Sequence, residues 1–588
     1  MRRILLVAAI AWLFPQQAVA ADMRKTLHVA FPVAESGFDP QALSDTYSDA
    51  VCLGIFDPLY RYNYFARPVV LEPNTADGLP EISDGGRTYT IKVKRGIYFA
   101  DDPAFNGKRR ELTADDYVYS IKRVFDPKVR SYWLYLFERT LVGLEAPLER
   151  ARKRGVFDYD EKIEGLQTLD RYTLRVRFKE PDYGFKWWLT TSSFAAVARE
   201  VVEKYQDESH RVMANPVGSG PYRLKSWTRG QRLVLEANPT FRDESYPAPG
   251  PAAADAAIAK GLTGRKLPLA GSVDIAIIEE AQPRMLSFDR GQLDYVSVPA
   301  SLAPTVLDND KLKPALAQRG VVLHRESEPS LGFFFFNMDD PIVGGYEPAK
   351  LALRRAITLA YDRDAAIRQL ANGQAIVADQ PVPPGLFGHH ASIAAKLAFD
   401  PAAARALLDR FGYKDRDGDG YREMPDGKPL TIAKGSTTDA AARASDELWK
   451  RNMDAIGIRI TFVKNKWPEL NKMTEAGQMM MWGLGWISGV PDGDAFYSYL
   501  VSRNIGTSND ARLRLPEYDR LYDEAHKLPD GPQRNAVFAK LNALIVNYAP
   551  WILAEYSYRN DLTQPWLKGF KANPFQRWQW AYYDVAER

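Results

Sequence analysis

Cysteine is almost absent from this sequence: Cys52 is the only one in 588 residues. A single cysteine excludes an intramolecular disulfide, so the fold must be stabilised by its own apolar core. A chain of this length can supply such a core, because large proteins bury most of the surface that their unfolded chains expose. The length also indicates more than one domain.

An excess of charge of one sign is lacking as well. The chain has 77 Lys+Arg against 74 Asp+Glu. Nucleic-acid-binding domains usually carry a basic patch or stripe. We therefore expect no nucleic-acid partner, and the balance gives no reason to invoke an anionic membrane surface.

Long apolar runs are missing after the first residues. Arg2 and Arg3 precede the apolar run 4–14, and Ala18, Val19 and Ala20 form a small-x-small cleavage site. This pattern predicts a cleaved signal peptide over residues 1–20. The run is too short to span a bilayer, which needs about 20 apolar residues. No cysteine stands at the cleavage point, so we expect release into the periplasm without a lipid anchor.

Catalytic motifs are also missing. There is no HExxH pattern, no phosphate-binding glycine loop, no GxGxxG after a strand and no GxSxG. His389 and His390 could form a metal pair, but adjacent loop histidines more often point apart. Asp492 and Asp494 could be the paired acids of a glycoside hydrolase. We favour the alternative that Asp494 caps a helix beginning at Ala495, and we expect no enzymatic activity.

Alternating apolar residues predict two β-strands with one buried and one solvated face. The inward residues are Tyr89, Ile91 and Val93 in the first strand, and Tyr172, Leu174, Val176 and Phe178 in the second. The stretch 246–261, rich in Ala, Pro and Gly, is predicted to be a mobile surface loop.

Helices are predicted from capping residues and from apolar residues at helical spacing. Thr113, with Asp116 three residues later, predicts a helix start. Trp449, Met453 and Ile456 form one apolar stripe, which Gly457 ends, and the next residues alternate as a strand. Helix-to-strand units of this kind build sheets covered by helices, and the sequence therefore predicts a multi-lobed α/β protein.

One acidic loop has the spacing of a calcium-binding loop. In "DRDGDGYREMPD" the oxygen-bearing residues fall at positions 1, 3, 5, 7, 9 and 12, and Gly420 at position 6 allows the sharp turn. The predicted ligands are Asp415, Asp417, Asp419, Tyr421, Glu423 and Asp426. The alternative is an empty turn between secondary-structure elements. We predict that the protein requires no cofactor, and we retain this loop as a candidate site for a structural calcium ion.

Several segments, in one order along the chain, resemble the extracytoplasmic solute-binding proteins of ABC importers, family 5 (the dipeptide/oligopeptide-binding type). The segments are 55–62, 89–101, 111–127, 215–227, 291–299, 333–338, 353–367 and 382–388. Members of this family deliver peptides, nickel, haem and other solutes to membrane permeases.

The resemblance implies a periplasmic binding protein-like type II fold of the α/β class. In that fold two lobes are joined by a double-crossover hinge, and lobe I contains an extra subdomain. Lobe I would comprise residues 21–325 and 553–588, and lobe II residues 326–552. Two such lobes can enclose a ligand and close over it.

The stretch "GLGWISGVPDGDAF" resembles the family's ligand wall, in which a Gly-Trp pair is followed by an aspartate that binds a peptide's α-amino group. Gly485 and Trp486 match, but the aspartate position falls on Gly489. A buried ammonium without a carboxylate is unfavourable. The ligand-binding residues that the resemblance implies are Tyr47, Ser48, Lys434, Ser436, Thr437, Gly485, Trp486, Ile487, Ser488 and Asn504.

The implied function is the periplasmic binding component of an ABC importer, which captures an oligopeptide or peptide-like solute by hinge closure. Its partners would be that ligand and the permease subunits in the inner membrane, and we expect a monomer. Three alternatives stay open: a protein that binds a non-peptide organic solute, because of Gly489; a secreted hydrolase that uses Asp492 and Asp494; and a chaperone or signalling receptor with the same fold.

Overall fold

The computed structural model describes residues 21–391 and 398–587. The predicted signal peptide lies outside the described residues. The described chain mixes strands and helices along its whole length. No helix in these ranges is both long enough and apolar enough to cross a membrane.

The strands vary from short bridging pieces to one long central strand. They are β1 (Asp22–Phe31), β2 (Tyr60–Tyr62), β3 (Leu71–Pro73), β4 (Glu81–Ser83), β5 (Thr88–Lys92), β6 (Leu166–Asp170), β7 (Thr173–Arg177), β8 (Tyr222–Thr228), β9 (Arg232–Ala237), β10 (Ala270–Ile277), β11 (Tyr295–Val298), β12 (Leu307–Asp308), β13 (Lys311–Leu312), β14 (Val322–Ser327), β15 (Ser330–Phe336), β16 (Ala375–Val377), β17 (Thr431–Ser436), β18 (Arg459–Lys464), β19 (Met481–Ile487), β20 (Trp551–Thr563), β21 (Leu567–Lys568) and β22 (Asp584–Val585).

The α-helices cover the sheets and connect their strands. They are α1 (Thr46–Ile55), α2 (Ala114–Val124), α3 (Glu145–Arg154), α4 (Phe185–Trp188), α5 (Arg199–Tyr205), α6 (Ala253–Ala259), α7 (Ala281–Asp289), α8 (Ala303–Val306), α9 (Pro314–Gln318), α10 (Pro348–Ala360), α11 (Arg363–Gln369), α12 (Pro401–Arg410), α13 (Ala440–Asp454), α14 (Trp467–Glu475), α15 (Asp494–Ser498), α16 (Pro516–His526) and α17 (Pro532–Tyr548).

Three larger sheets organise the described chain. The first has the strand order β1-β10-β9-β8, and the second β4-β5-β7-β6. The third has eight strands in the order β11-β20-β15-β19-β17-β18, with β14 and β16 also paired to β20. Parallel pairs such as β17 with β18 and β1 with β10 need crossover connections, which helices supply.

The long strand β20 joins segments that are far apart in the sequence. Its first half pairs with β15, where Gly332 faces Glu555, and with β16. Its second half pairs with β14 from Tyr558 onwards and with β11. The predicted crossings near residues 325 and 553 fall on these strands, and the lobe boundaries stay predictions.

The only cysteine lies inside the core against the first sheet. Cys52, on α1, is fully buried and makes no disulfide. Burial raises the pKa of its thiol well above the usual value. The fold is therefore held by apolar packing, as the cysteine content predicts.

The predicted strands and helix stripes are confirmed. Tyr89, Ile91, Leu174 and Val176 are buried on β5 and β7. The backbone N–H of Thr113 donates to the Asp116 carboxylate at 2.7 Å, as a capping box at the start of α2 requires.

Two local predictions were wrong. Residues 246–261 are not simply a loop, because α6 forms within them and its Asp255 is buried in an ion pair with Lys571. Asp494 does not cap α15; it is the first residue of that helix, and the Asp492 carboxylate accepts its backbone N–H at 3.0 Å. The N-cap position is Gly493, which has no side chain, and the helix begins one residue earlier than predicted.

Candidate ligand-binding site

The predicted ligand wall is the end of β19 and the turn after it. β19 pairs with β15 in antiparallel register, with Ile487 opposite Ser330 and Gly485 opposite Gly332. The Ser488 N–H donates to the Pro329 carbonyl at 2.8 Å, and the Asn337 N–H to the Met480 carbonyl at 2.9 Å. These bonds fix which backbone groups of β19 face β15.

The backbone groups of Gly485 and Ile487 therefore point away from β15. In an antiparallel ladder, hydrogen-bonded and non-bonded pairs alternate, and these two residues occupy non-bonded positions. On that side β19 pairs with β17 only at Met481, opposite Lys434. Beyond Met481 no described strand pairs with this edge.

The side chains along this edge leave it accessible. Gly485 and Gly489 are exposed, and the Ile487 side chain is 58% exposed. A Cβ added at Gly489 would meet no atom within 4 Å. The strand end therefore presents unpaired backbone donors and acceptors beside open space.

Trp486 provides the apolar face of the site. Its ring stacks on Tyr499 with centroids 4.4 Å apart and an interplanar angle of 16°. Its Nε1 is buried and has no hydrogen-bond partner among the described residues. Trp486 is partly exposed, so it can offer apolar surface to a ligand.

A short 3-10 helix, Tyr132–Leu136, brings further aromatic side chains towards Tyr499. Tyr132 and Tyr135 are 62% and 53% exposed. Burial raises the pKa of Tyr499, and the nearby Tyr132 and Tyr135 hydroxyls add to the increase. The region around Trp486 is thus lined by aromatic residues from distant parts of the chain.

Ser488 and the acidic turn support the wall rather than face solvent. The buried Ser488 hydroxyl donates to the Val490 carbonyl at 2.6 Å. Asp492 and Asp494 both contact Arg534, with nitrogen–oxygen distances of 3.0 and 3.3 Å. Asp494 also accepts from the Tyr522 hydroxyl at 2.7 Å. These carboxylates are engaged inside the protein, and Gly489 supplies none.

The positions of Lys434 and Ser436 are set by Asp446. The buried Lys434 Nζ lies 3.2 Å from Asp446 Oδ1, and the Ser436 hydroxyl donates to Oδ2 at 2.7 Å. Burial lowers the pKa of Lys434, and Asp446 partly offsets this effect. The next residue, Thr437, is partly exposed and donates its hydroxyl to Asp439 at 2.6 Å. The roles of all three in ligand binding stay predictions.

The other predicted binding residues lie on separate elements. Tyr47 packs its ring against Phe31 and Trp578 at 5.1 and 5.4 Å. Ser48, beside it on α1, is fully buried and accepts the Ser36 N–H at 2.9 Å. Asn504 donates its side-chain amide to the Ser498 carbonyl at 2.8 Å. No described contact joins these three to Trp486, and their roles in binding stay predictions.

Sequence reasoning missed two residues near the wall, Tyr499 and Glu555. Tyr499 directly follows α15 and could have been found from the aromatic run that follows the Gly-Trp pair. Glu555 lies on β20 inside an apolar run, and its position over Gly332 depends on strand pairing between distant segments.

The acidic loop forms a compact cluster. Ligand oxygens of Asp415, Asp417, Asp419 and Glu423 all lie within 4.8 Å of one another. The Asp426 carboxylate lies outside this cluster, 2.8 Å from Lys428, and the Tyr421 hydroxyl donates to Asp454. His389 and His390 do not belong to the cluster. Four converging carboxylates suit a hard cation, and calcium binding stays a prediction.

Calcium at about a hundred times its Kd is expected to stabilise the wild-type protein by about 2.7 kcal/mol, because it binds only the folded loop. Thermal melting with calcium or with a chelator measures the effect. Asp417→Asn should abolish the shift, whereas Asp426→Asn, outside the cluster, should retain it. A melting temperature that calcium leaves unchanged would refute the site.

Comparison with known proteins agrees with this architecture. Residues 70–508 match the family model described as "Bacterial extracellular solute-binding proteins, family 5 Middle". Heme-binding protein A of Haemophilus influenzae is 24% identical over 92% of this chain and 89% of its own length. The dipeptide-binding protein of Escherichia coli is 22% identical over 95% of this chain and 94% of its own.

Solved structures show the same fold. HbpA2 from Haemophilus parasuis superposes with a TM-score of 0.74 at 18% identity, covering 96% of this chain and 100% of that chain. DppA from Helicobacter pylori, in complex with the peptide STSA, has a TM-score of 0.69 at 19% identity, covering 96% and 98%. The chain therefore has the periplasmic binding protein type II fold and belongs to the bacterial extracellular solute-binding proteins, family 5.

Proposed function

We propose that this protein is the periplasmic substrate-binding component of an ABC importer and that its ligand is a short peptide or peptide-like solute. The open edge of β19 at Gly485 and Ile487 carries the proposal. An extended peptide can add to such an edge as a further strand, with main-chain hydrogen bonds supplying affinity. Relatives named for dipeptide binding and the structure with bound STSA support this ligand class.

The protein acts by binding and closure, without turnover. The only acid pair that suggested hydrolysis, Asp492 and Asp494, is held by Arg534, so neither carboxylate is free for acid–base chemistry. The closed monomer would then dock on permease subunits in the inner membrane after signal-peptide cleavage and export.

A non-peptide organic solute is the second candidate. It is favoured by Gly489, where a carboxylate for a peptide ammonium is missing, and by the aromatic surroundings of Trp486. Relatives named for haem and, as a probable function, deoxycholate binding support this candidate.

Unmodified di- to pentapeptides are expected to raise the melting temperature by several degrees, whereas deoxycholate and haem are not. A ligand at a hundred times its Kd stabilises by about 2.7 kcal/mol. Ile487→Pro should weaken peptide binding about tenfold or more, because it removes an N–H directed at the ligand. Ile487→Ala keeps that N–H and serves as the control. Stabilisation by deoxycholate or haem alone would contradict the peptide assignment.

A further inference from the structure

A partly exposed carboxylate without a partner lies on β20, two strands away from β19 in the sheet. Glu555 is on β20 opposite Gly332 of β15. In the described residues no hydrogen bond or ion pair reaches its side chain, and burial alone raises its pKa to about 6. Carboxylates that are partly removed from water are usually paired, because desolvation disfavours an isolated charge.

The Glu555 carboxylate lies directly over Gly332. A Cβ built on Gly332 would come within 2.4 Å of Glu555 Oε1 and 3.3 Å of Oε2. Only glycine leaves room for the carboxylate at this position. Gly332 is in turn opposite Gly485, so the three residues form one row across β20, β15 and β19, with their side-chain positions on the same face.

The row is open at the ligand end. Gly485 is exposed, and a Cβ added there would find only the Leu331 carbonyl oxygen, at 3.8 Å. Adjacent strands lie about 4.8 Å apart, so a strand added beside Gly485 would lie about two strand spacings from Gly332. No side chain of β15 or β19 in this row separates such a ligand from the carboxylate.

Nearby protein cations are already engaged elsewhere. Lys434, near Phe334 on the same face, is paired with Asp446 at 3.2 Å. The Arg363 guanidinium donates to the Leu553 carbonyl at 3.2 Å. Neither provides the missing countercharge, so the position is suited to a cation brought by the ligand.

We propose that Glu555 binds a cationic group of the peptide over the floor formed by Gly332 and Gly485. The group is either the N-terminal ammonium or a basic side chain. This inference rests on the proposed peptide function, and it supplies the carboxylate that Gly489 lacks. An ammonium placed there would form a charge-assisted hydrogen bond in a water-poor site.

The test compares alanine tri- to pentapeptides with a free amine, the same peptides acetylated at the N-terminus, and an acetylated peptide containing one lysine. Calorimetry on the wild type should show at least tenfold tighter binding of the free-amine peptides, of the acetylated lysine peptide, or of both, than of the acetylated alanine peptides. Rescue of acetylated peptides by lysine identifies a basic side chain as the source; lack of rescue identifies the terminal ammonium.

Glu555→Gln should remove this preference while leaving the affinity for acetylated alanine peptides unchanged. Its melting temperature should not fall, because no ion pair is lost. Glu326→Gln is the matched control: Glu326 lies on β14, where burial raises its pKa and the nearby Arg67 and Arg559 partly offset this increase. If Glu555→Gln kept the full preference for cationic peptides, this inference would be wrong, but the proposed peptide function would not be affected. Failure of every peptide to bind the wild type would overturn both.

Discussion

Arg534→Met is expected to lower the free energy of unfolding by about 3–5 kcal/mol, because it leaves the buried Asp492 carboxylate without its cation. The Arg534 side chain is almost fully buried and contacts Asp492, Asp494 and Asp530, the last at 2.7 Å. Removing its charge leaves Asp492 and Asp494 close together in a desolvated site. Urea unfolding followed by circular dichroism at pH 7.5 measures the loss.

Arg534→Met should also weaken ligand binding, because it disturbs the turn that follows the ligand wall. Asp492 holds the start of α15, and the backbone around it bonds to Phe387, whose N–H donates to the Pro491 carbonyl at 2.9 Å. Arg152→Met is the control, since Arg152 pairs with Glu138 at the surface and exposed pairs contribute about 0–1 kcal/mol. An equal decrease in the free energy of unfolding for Arg534→Met and Arg152→Met would contradict the structural role of Arg534.

Trp449→Ala is expected to destabilise the protein by about 3–5 kcal/mol, as is typical of a large aromatic side chain removed from a core. Trp449, on α13, is fully buried. Its ring stacks on Tyr361 at 4.2 Å and contacts Phe334 of β15 edge-on at 4.9 Å. Truncation therefore opens a cavity against the strand that pairs with β19.

Trp467→Ala is the matched control, because that side chain is 55% exposed. Surface substitutions of this kind usually change stability by less than about 0.5 kcal/mol. The loss of stability in Trp449→Phe should lie between those of Trp449→Ala and Trp467→Ala, since phenylalanine keeps most of the ring contacts. Thermal and urea unfolding of the three variants provide the comparison, and an unaffected Trp449→Ala would show that α13 does not anchor the sheet.

The unit from α13 to β18 was predictable because its information is local. Trp449, Met453 and Ile456 repeat at helical spacing, and Ile458 and Ile460 alternate after Gly457. All five side chains are buried in one core. Periodicity of this kind indicates which face of a helix or strand is apolar, and it does so without knowledge of the segment that packs against that face.

The site was only partly predictable because it is assembled from distant segments. The Gly-Trp pair marks β19, yet the environment of Glu555 arises only when Gly332 pairs with β20 across more than 200 residues of intervening sequence. The helix over Ala253–Ala259 was missed because alanine-rich sequence flanked by proline resembles a linker. Its docking through Asp255 to Lys571 depends on the far end of the chain.

The buried thiol of Cys52 makes the protein suitable for site-specific labelling. Maleimides and similar reagents react with exposed thiolates, and burial suppresses both exposure and ionisation at this residue. A cysteine introduced at an exposed position would thus carry a fluorophore alone, without prior removal of the natural one. Motion of the chain around a captured solute could then be followed by fluorescence in an otherwise unmodified sequence.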